Sequence, residues 1–223
     1  MNSTTEKLQL QGAAGVIEAL RDAADTSPTG KAGQADQRAP RGVAVIAHPH
    51  PLFGGTMDNK VVQTMARAFV QAGFTAVRFN FRGVGASAGT YDEGRSETQD
   101  MLAVIAQTCP VGTPLCIAGF SFGSFVASHV ITALARMEHA QTAIEKIVLV
   151  GTAASRFAVA PIPAELHERT LVIHGEADDT VPLASVMDWA RPQLLPVTVV
   201  PAGGHFFHGQ LPLLKSLVLR HLC

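Results

Sequence analysis

Short runs rich in hydrophobic and β-branched residues recur along the chain, and each ends in a loop of glycine, proline or polar residues. They fall at 43–47, 75–81, 115–118, 146–150, 171–174 and 197–200. Runs of this length are typical of strands that are buried on both faces of a parallel sheet. We therefore expect these segments to form the centre of the fold.

Between these runs, apolar residues recur at three- and four-residue steps, which predicts helices packed on the sheet. Asp58 is expected to cap the first helix and Gly73 to end it. Ser96 and Gln99 have the spacing of a capping box in front of the second helix, and Pro182 opens a later one. The apolar positions of the predicted helices are Val62, Met65, Ala66, Phe69, Met101, Leu102, Ile105, Phe122, Phe125, Val126, Val130, Ala133, Leu134, Val186, Ala190, Leu211, Leu214, Val218 and Leu222.

The start of the chain has a different pattern. Residues 7–11 and 16–20 resemble two strands around the glycines of 12–15, which predicts an antiparallel hairpin. Residues 23–41 are rich in Ala, Asp, Gly, Ser, Thr and Pro and predict a flexible connection, too near the start to separate two domains. Residues 153–168 leave no room for a cap domain. We expect residues 1–223 to form one α/β domain, with helices on both faces of a mainly parallel sheet.

Composition excludes several classes of function. The 223 residues carry a formal net charge of −1 and are 47% hydrophobic, so no basic surface for nucleic acid or anionic membrane is expected. No segment approaches the roughly 20 apolar residues of a membrane span, and the first residues lack the pattern of an export signal. Cys109, Cys116 and Cys223 form neither a disulfide set nor a metal-binding pair. These features predict a cytoplasmic protein whose partner is a small molecule, and they leave a monomer and a homodimer equally open.

The segment 119–123, Gly-Phe-Ser-Phe-Gly, joins a predicted strand to a predicted helix and places Ser121 at the turn. Such a turn requires a strained backbone, and flanking glycines remove the side chains that would clash. The hydroxyl is then exposed, and the start of the helix directs free N–H groups towards any oxyanion formed there. The bare motif also fits an ordinary Gly/Ser turn, but its setting favours a nucleophile. A phosphate loop would need Lys-Ser or Lys-Thr, which is missing here.

A nucleophilic serine needs a base and a carboxylate that orients the base. The loop after the 171–174 run supplies Asp178, which we favour as the acid, with Asp179 as the alternative; either one could instead cap a helix. His205 follows the last strand directly and is the preferred base. His208 is its competitor, but it should fall in the first turn of the final helix. The order Ser, Asp, His is the order in which an elbow of this type recruits its partners.

The loop His-Pro-His-Pro-Leu at 48–52 is the candidate for the second oxyanion donor, beside the N–H of Phe122. Its prolines have no N–H and stiffen the backbone, which leaves His50 and Leu52 as donors; we favour His50. Several apolar residues near these loops are candidates for an acyl pocket, although some of them are expected to pack in the core. They are Leu52, Phe53, Phe122, Phe206 and Phe207.

The sequence offers two alternatives to serine-based hydrolysis. His48-x-His50 with His205-x-x-His208 has the spacing of a metal site, but prolines interrupt it, so no metal is expected. A silent binding module would not need a serine, a carboxylate and a histidine at matching strand ends. The other histidines are expected to be structural or on the surface, with His174 shaping its own turn; these are His129, His139, His167 and His221.

With these residues in place, the chain resembles the α/β-hydrolase superfamily from about residue 43 to residue 208, and in particular its small lidless branch near the dienelactone hydrolases. Four blocks carry the resemblance: HPHPLFGG with MDNK behind it, RFNFRGVG, GFSFG, and HGEADDTVP followed by GHFFHG. It implies Ser121 as nucleophile, Asp178 as acid, His205 as base, an acyl-enzyme intermediate and no cofactor. Dienelactone hydrolases have a nucleophilic cysteine, so an esterase is expected instead, with thioesters or amides as alternative substrates.

Overall fold

The computed structural model describes residues 5–26, 39–136 and 143–223. Most of the predicted flexible connection over 23–41 lies outside these residues, and so does His139. The structure within the described ranges is a central sheet between two layers of helices.

The described strands form an eight-stranded sheet in the order β1-β2-β4-β3-β5-β6-β7-β8. The first two strands form the expected antiparallel hairpin, and β2 also pairs antiparallel with β4. All the other neighbours are parallel. The mainly parallel sheet with an N-terminal hairpin is therefore confirmed. The strands are β1 Thr5–Gly12, β2 Gly15–Asp22, β3 Val43–Ala47, β4 Thr75–Phe79, β5 Leu115–Phe120, β6 Ile144–Val150, β7 Thr170–Gly175 and β8 Val197–Val200.

Helices cover both faces of the sheet. They are α1 Lys60–Gln71, α2 Arg95–Thr108, α3 Phe122–Arg136, α4 Leu183–Ala190 and α5 Leu211–Leu222. The apolar sides of α1 and α5 pack on one face, and those of α2, α3 and α4 pack on the other. Between β6 and β7 the described chain makes a loop and a short 3₁₀ turn (Ala164–Arg169), and no cap domain is inserted. None of the helices described here is long and apolar enough to cross a membrane.

Two of the predicted helix caps are wrong. Asn59, rather than Asp58, caps α1, since its side chain accepts the N–H of Val61 at 2.9 Å, whereas Asp58 pairs with Arg78. A cap needs an acceptor at the residue directly before the first helical turn. Because α1 begins at Lys60, that residue is Asn59, and Asp58 lies one position too early.

The predicted capping box at α2 is also shifted. Gly94 precedes the helix, and Glu97 accepts the backbone N–H groups of Gly94 and Asp92, both at 2.8 Å. Ser96 lies within the first turn and donates its hydroxyl to Asp92. Gln99 has no part in this cap, because a glycine with a left-handed backbone (φ +93°) makes the turn into the helix.

The carboxyl ends of the parallel strands meet at one edge of the sheet. The loop after β3 contains His50, the turn after β5 contains Ser121, and the loops after β7 and β8 contain Asp178 and His205. Ligands bind at this edge in sheets of this kind. The final helix begins only at Leu211, so the expectation that His208 lies in its first turn is wrong.

Candidate active site

Ser121 lies in the sharp turn between β5 and α3. Its φ of +56° is left-handed, which is uncommon for any residue other than glycine and marks local strain. The backbone N–H of Ser121 donates to the carbonyl of Val150 at 2.8 Å, and α3 begins at the next residue. The strained turn thus places the serine side chain directly in front of a helix N-terminus.

The two glycines of the motif are required by close backbone contacts. A Cβ on Gly119 would lie 2.3 Å from the carbonyl oxygen of Gly123, and one on Gly123 would lie 2.4 Å from the carbonyl oxygen of Ala47. Neither distance is compatible with a side chain. The spacing of the motif therefore has the steric cause that was expected from the sequence.

Ser121, His205 and Asp178 form a continuous chain of hydrogen bonds. The His205 Nε2 lies 3.0 Å from the Ser121 Oγ, and the His205 Nδ1 lies 2.7 Å from the Asp178 Oδ2. All three residues are buried, with relative exposures of 7%, 4% and 6% for Ser121, His205 and Asp178. Burial strengthens such contacts because little water competes for them.

The carboxylate of Asp178 is held at both oxygens. Its Oδ1 accepts the N–H groups of Thr180 at 3.0 Å and Val181 at 2.7 Å, while Oδ2 faces His205. Burial raises the pKa of Asp178, but the hydrogen bonds from His205 and Val181 outweigh it, so that the pKa is lowered. The group is therefore a fixed carboxylate. The alternative, Asp179, is exposed and outside the chain of hydrogen bonds.

His174 is fully buried beneath the loop that carries Asp178. Its Nε2–H donates to the carbonyl of Val181 at 2.9 Å and lies 3.5 Å from the Asp178 Oδ2. Burial lowers the pKa of His174, which favours the neutral ring. No partner within the described ranges bonds its Nδ1. His174 therefore stabilises the turn that follows it, as expected.

Aromatic rings fix the imidazole of His205 from two sides. The ring of Phe120 lies 4.9 Å from it and the ring of Phe206 lies 5.0 Å from it, centre to centre. Gly151 approaches on a third side, where an added Cβ would lie 3.2 Å from the His205 Cε1. A larger residue at 151 would displace the imidazole from its two hydrogen-bond partners.

The loop after β3 distinguishes between the two candidate donors. The N–H of Leu52 donates to the His50 Nδ1 at 3.2 Å and is therefore occupied. The N–H groups of His50 and Phe122 have no acceptor among the residues described. Phe122 is also the first residue of α3, where the helix dipole is positive. Of the two candidates in the loop after β3, only His50 therefore has a free N–H, and the N–H of Phe122 is free as well.

His48 has a structural environment rather than that of a metal ligand. Its Nε2 accepts the N–H of Phe81 at 3.0 Å, so the ring proton lies on Nδ1 and is donated to the carbonyl of Pro49 at 2.6 Å. Burial lowers the pKa of His48 to about 4, against the opposing effect of the bond to Pro49. In the part of the chain that is described, no three His, Cys, Asp or Glu side chains are placed to hold a metal ion.

A cavity of about 250 Å³ opens beside Ser121 and His205. Of the predicted pocket residues, Phe53, Phe122 and Phe206 line it. Leu52 is exposed and does not line it, while Phe207 is fully buried in the core on the α1/α5 face. Most of the side chains that line the cavity are apolar, which suits the apolar part of a ligand.

The loop after β6 supplies lining residues that were missed in the sequence: Ala153, Arg156 and Phe157. The segment has no helical or strand periodicity and no carboxylate in its first residues, so its sequence does not indicate a part in the site. Its position after β6, the neighbour of β5 in the sheet, was the available signal.

Comparison with known proteins agrees with this fold and geometry. A model of the alpha/beta hydrolase domain family matches residues 41–211. The chain is similar to an α/β serine hydrolase without a lid from Xanthomonas campestris, with 31% identity, a TM-score of 0.81, and coverage of 100% of this chain and 95% of that one. It is also similar to an α/β serine hydrolase homologue from Coxiella burnetii, with 32% identity, a TM-score of 0.77, and coverage of 98% and 97%.

A relative from Rickettsia prowazekii is described only as an uncharacterized protein. It is 39% identical over 100 residues, which represent 44% of this chain and 42% of that protein. The match thus spans less than half of the relative's length.

Proposed function

Because the chain belongs to the alpha/beta hydrolase family, we propose that it is a serine hydrolase that cleaves carboxylic esters through an acyl-enzyme intermediate. Ser121 is the nucleophile, His205 the base and Asp178 the acid of the triad. The observation that carries the proposal is the chain of hydrogen bonds through these residues, 3.0 Å from serine to imidazole and 2.7 Å from imidazole to carboxylate.

In acylation, the His205 Nε2 takes the proton of Ser121 as the serine oxygen attacks the ester carbonyl. Asp178 stabilises the imidazolium through Nδ1 and keeps the ring in its reactive orientation. The carbonyl oxygen becomes an oxyanion that accepts the N–H groups of Phe122 and His50, and each such donor is worth about 10²- to 10³-fold in turnover. His205 then gives its proton to the departing alkoxide.

In deacylation, the same imidazole takes a proton from water, which attacks the acyl-enzyme carbonyl. The second tetrahedral intermediate uses the same oxyanion donors. Its collapse releases the carboxylic acid and returns the proton to Ser121. No cofactor takes part in these steps. Esters are the first substrate class to test because an alkoxide leaves more readily than an amide nitrogen, and thioesters would use the same steps.

The test is a substrate profile for wild type and the Ser121→Ala variant. Esters of increasing acyl length, thioesters and aminoacyl amides are assayed in parallel. The Ser216→Ala variant is the matched control, since Ser216 is exposed on α5. We expect ester hydrolysis by wild type and control, and a loss of about 10⁴-fold or more in Ser121→Ala. Full activity in Ser121→Ala would contradict the proposed mechanism.

A further inference from the structure

The candidate cavity contains one permanently charged side chain, that of Arg156, among the described residues that line it. No aspartate or glutamate is part of this lining, and most of the remaining side chains are apolar. A substrate in the cavity would therefore meet a positive charge at a wall that is otherwise mainly apolar.

The guanidinium of Arg156 is exposed and has no hydrogen-bond, ion-pair or ring partner within the described part of the chain. Other arginines are used differently. Arg82 binds Asp100 through two contacts of 2.8 Å, and Arg78 binds Asp22 at 3.1 Å. Arg136 and Arg220 also lack such partners, but they lie near the ends of helices and not in the cavity.

The backbone that carries Arg156 is well anchored. The N–H groups of Arg156 and Phe157 both donate to the carbonyl of Ala153 at 3.2 Å, and Ala153 is itself buried. The ring of Phe157 stacks on that of Phe125 at 4.8 Å, with an angle of 18° between the planes. The guanidinium therefore extends from a fixed position, although its side chain is free to move.

The charge of Arg156 acts on the oxyanion loop. The pKa of His50 is lowered, first by burial and then by the positive charge of Arg156. Arg156 also lines the same cavity as His50 and Ser121, so its charge faces the space in which the reacting carbonyl would bind. An anionic group of a substrate bound next to that carbonyl would be attracted in the same way.

We propose that the preferred esters carry a second, anionic group, a carboxylate, which Arg156 binds beside the reacting carbonyl. This proposal rests on the proposed esterase function. A guanidinium is suited to this task because it presents parallel N–H donors to the two oxygens of a carboxylate. The carboxylate would supply the counter-ion that no described residue provides, and Phe53 and Phe122 would contact the apolar part of the molecule.

The experiment compares ester pairs of equal shape and different charge. On the acyl side, the 4-nitrophenyl monoester of adipic acid is compared with 4-nitrophenyl 6-methylheptanoate. On the alcohol side, 2-carboxyethyl hexanoate is compared with 3-methylbutyl hexanoate. In each pair a carboxylate replaces an isopropyl group. The readout is the ratio of kcat/KM for the anionic ester to kcat/KM for the neutral one.

We expect wild type to favour the anionic member of at least one pair, and Arg156→Gln to lower that ratio about 10-fold at low salt. This is the effect of losing one charge-assisted hydrogen bond that is weakened by solvent exposure. Arg156→Lys should retain part of the preference, and Arg156→Glu should reverse it. Added salt should reduce the wild-type ratio, because exposed charges are screened. Arg220→Gln is the control and should keep the wild-type ratio.

Equal ratios in wild type and Arg156→Gln for both pairs would overturn the proposal. That result is distinct from failure of the esterase function. If Ser121→Ala abolishes hydrolysis while the Arg156 variants leave both ratios unchanged, the serine mechanism stands and only the anionic substrate is refuted. Hydrolysis that survives in Ser121→Ala refutes the mechanism itself.

Discussion

Acidification should destabilise the fold through His48, and replacing it with glutamine should reduce that sensitivity. The neutral ring accepts the N–H of Phe81 at Nε2 and donates to Pro49 from Nδ1. Protonation would add a proton to Nε2, and this second N–H of the ring would point directly at the N–H of Phe81. The buried site therefore accepts only the neutral form without rearrangement. In His48→Gln the amide oxygen can accept the same N–H without titrating.

The magnitude follows from the difference in pKa between the folded and unfolded chains. The fold lowers the pKa of His48 from 6.5 to about 4. The stabilising effect is complete above the unfolded value and is lost as the pH falls towards the folded value, because the unfolded chain binds the proton first. This difference in pKa contributes about 3 kcal/mol to the free energy of unfolding, of which about 2 kcal/mol is lost between pH 8 and pH 5.

The assay is urea denaturation of wild type and His48→Gln at pH 8 and pH 5. The quantity compared is the change in the free energy of unfolding between the two pH values, so that other histidines cancel. We expect this change to be about 2 kcal/mol larger in wild type. The control is His208→Gln, which removes an exposed histidine and should behave as wild type. An equal change in wild type and His48→Gln would refute the argument.

Three further experiments test other parts of the structure. Asp178→Asn should lower kcat about 10⁴-fold, because the amide favours the wrong imidazole tautomer, whereas Asp179→Asn should retain activity. Gly123→Ala should lower kcat/KM about 10²-fold, because its Cβ would lie 2.4 Å from a carbonyl oxygen of β3. In thiol alkylation of the native protein followed by mass spectrometry, Cys116 should be protected, since burial raises its pKa to about 12, and the exposed Cys223 should react.

Each of these three experiments has a result that would contradict the structural argument behind it. Equal losses in the two aspartate variants would remove the distinction between their environments. An active Gly123→Ala protein would show that the turn tolerates a side chain; Gly204→Ala is its control, since an added Cβ there meets nothing within 4 Å. Alkylation of Cys116 at the rate of Cys223 would mean that β5 opens readily.

The sequence predicts correctly those features that depend on a steric requirement of a few neighbouring residues or on the order of the strands. Glycines two residues before and after Ser121 have a single steric explanation, which the contacts of Gly119 and Gly123 confirm. The convergence of Ser121, Asp178 and His205 follows from their positions at the ends of parallel strands. Strand ends meet at one edge whatever the details of the packing.

Other features depended on contacts between distant parts of the chain. Asp58 does not cap α1, because the helix begins at Lys60 and leaves Asp58 one residue before the capping position, where it pairs with Arg78 from β4. The choice between His50 and Leu52 as the oxyanion donor depends on the side chain of His50. Its imidazole folds back onto the loop and accepts the N–H of Leu52. Arg156 lies in a segment without periodicity, and only the sheet order places it beside the site.

The central claim is that His205 activates Ser121 as a nucleophile, and covalent labelling tests it most directly. The protein is incubated with an uncharged fluorophosphonate, and the adduct is located by mass spectrometry of the intact chain and its peptides. We predict one adduct per chain, on Ser121, absent in Ser121→Ala and formed much more slowly in His205→Gln. No adduct in wild type, or one that forms equally fast in His205→Gln, would contradict the account.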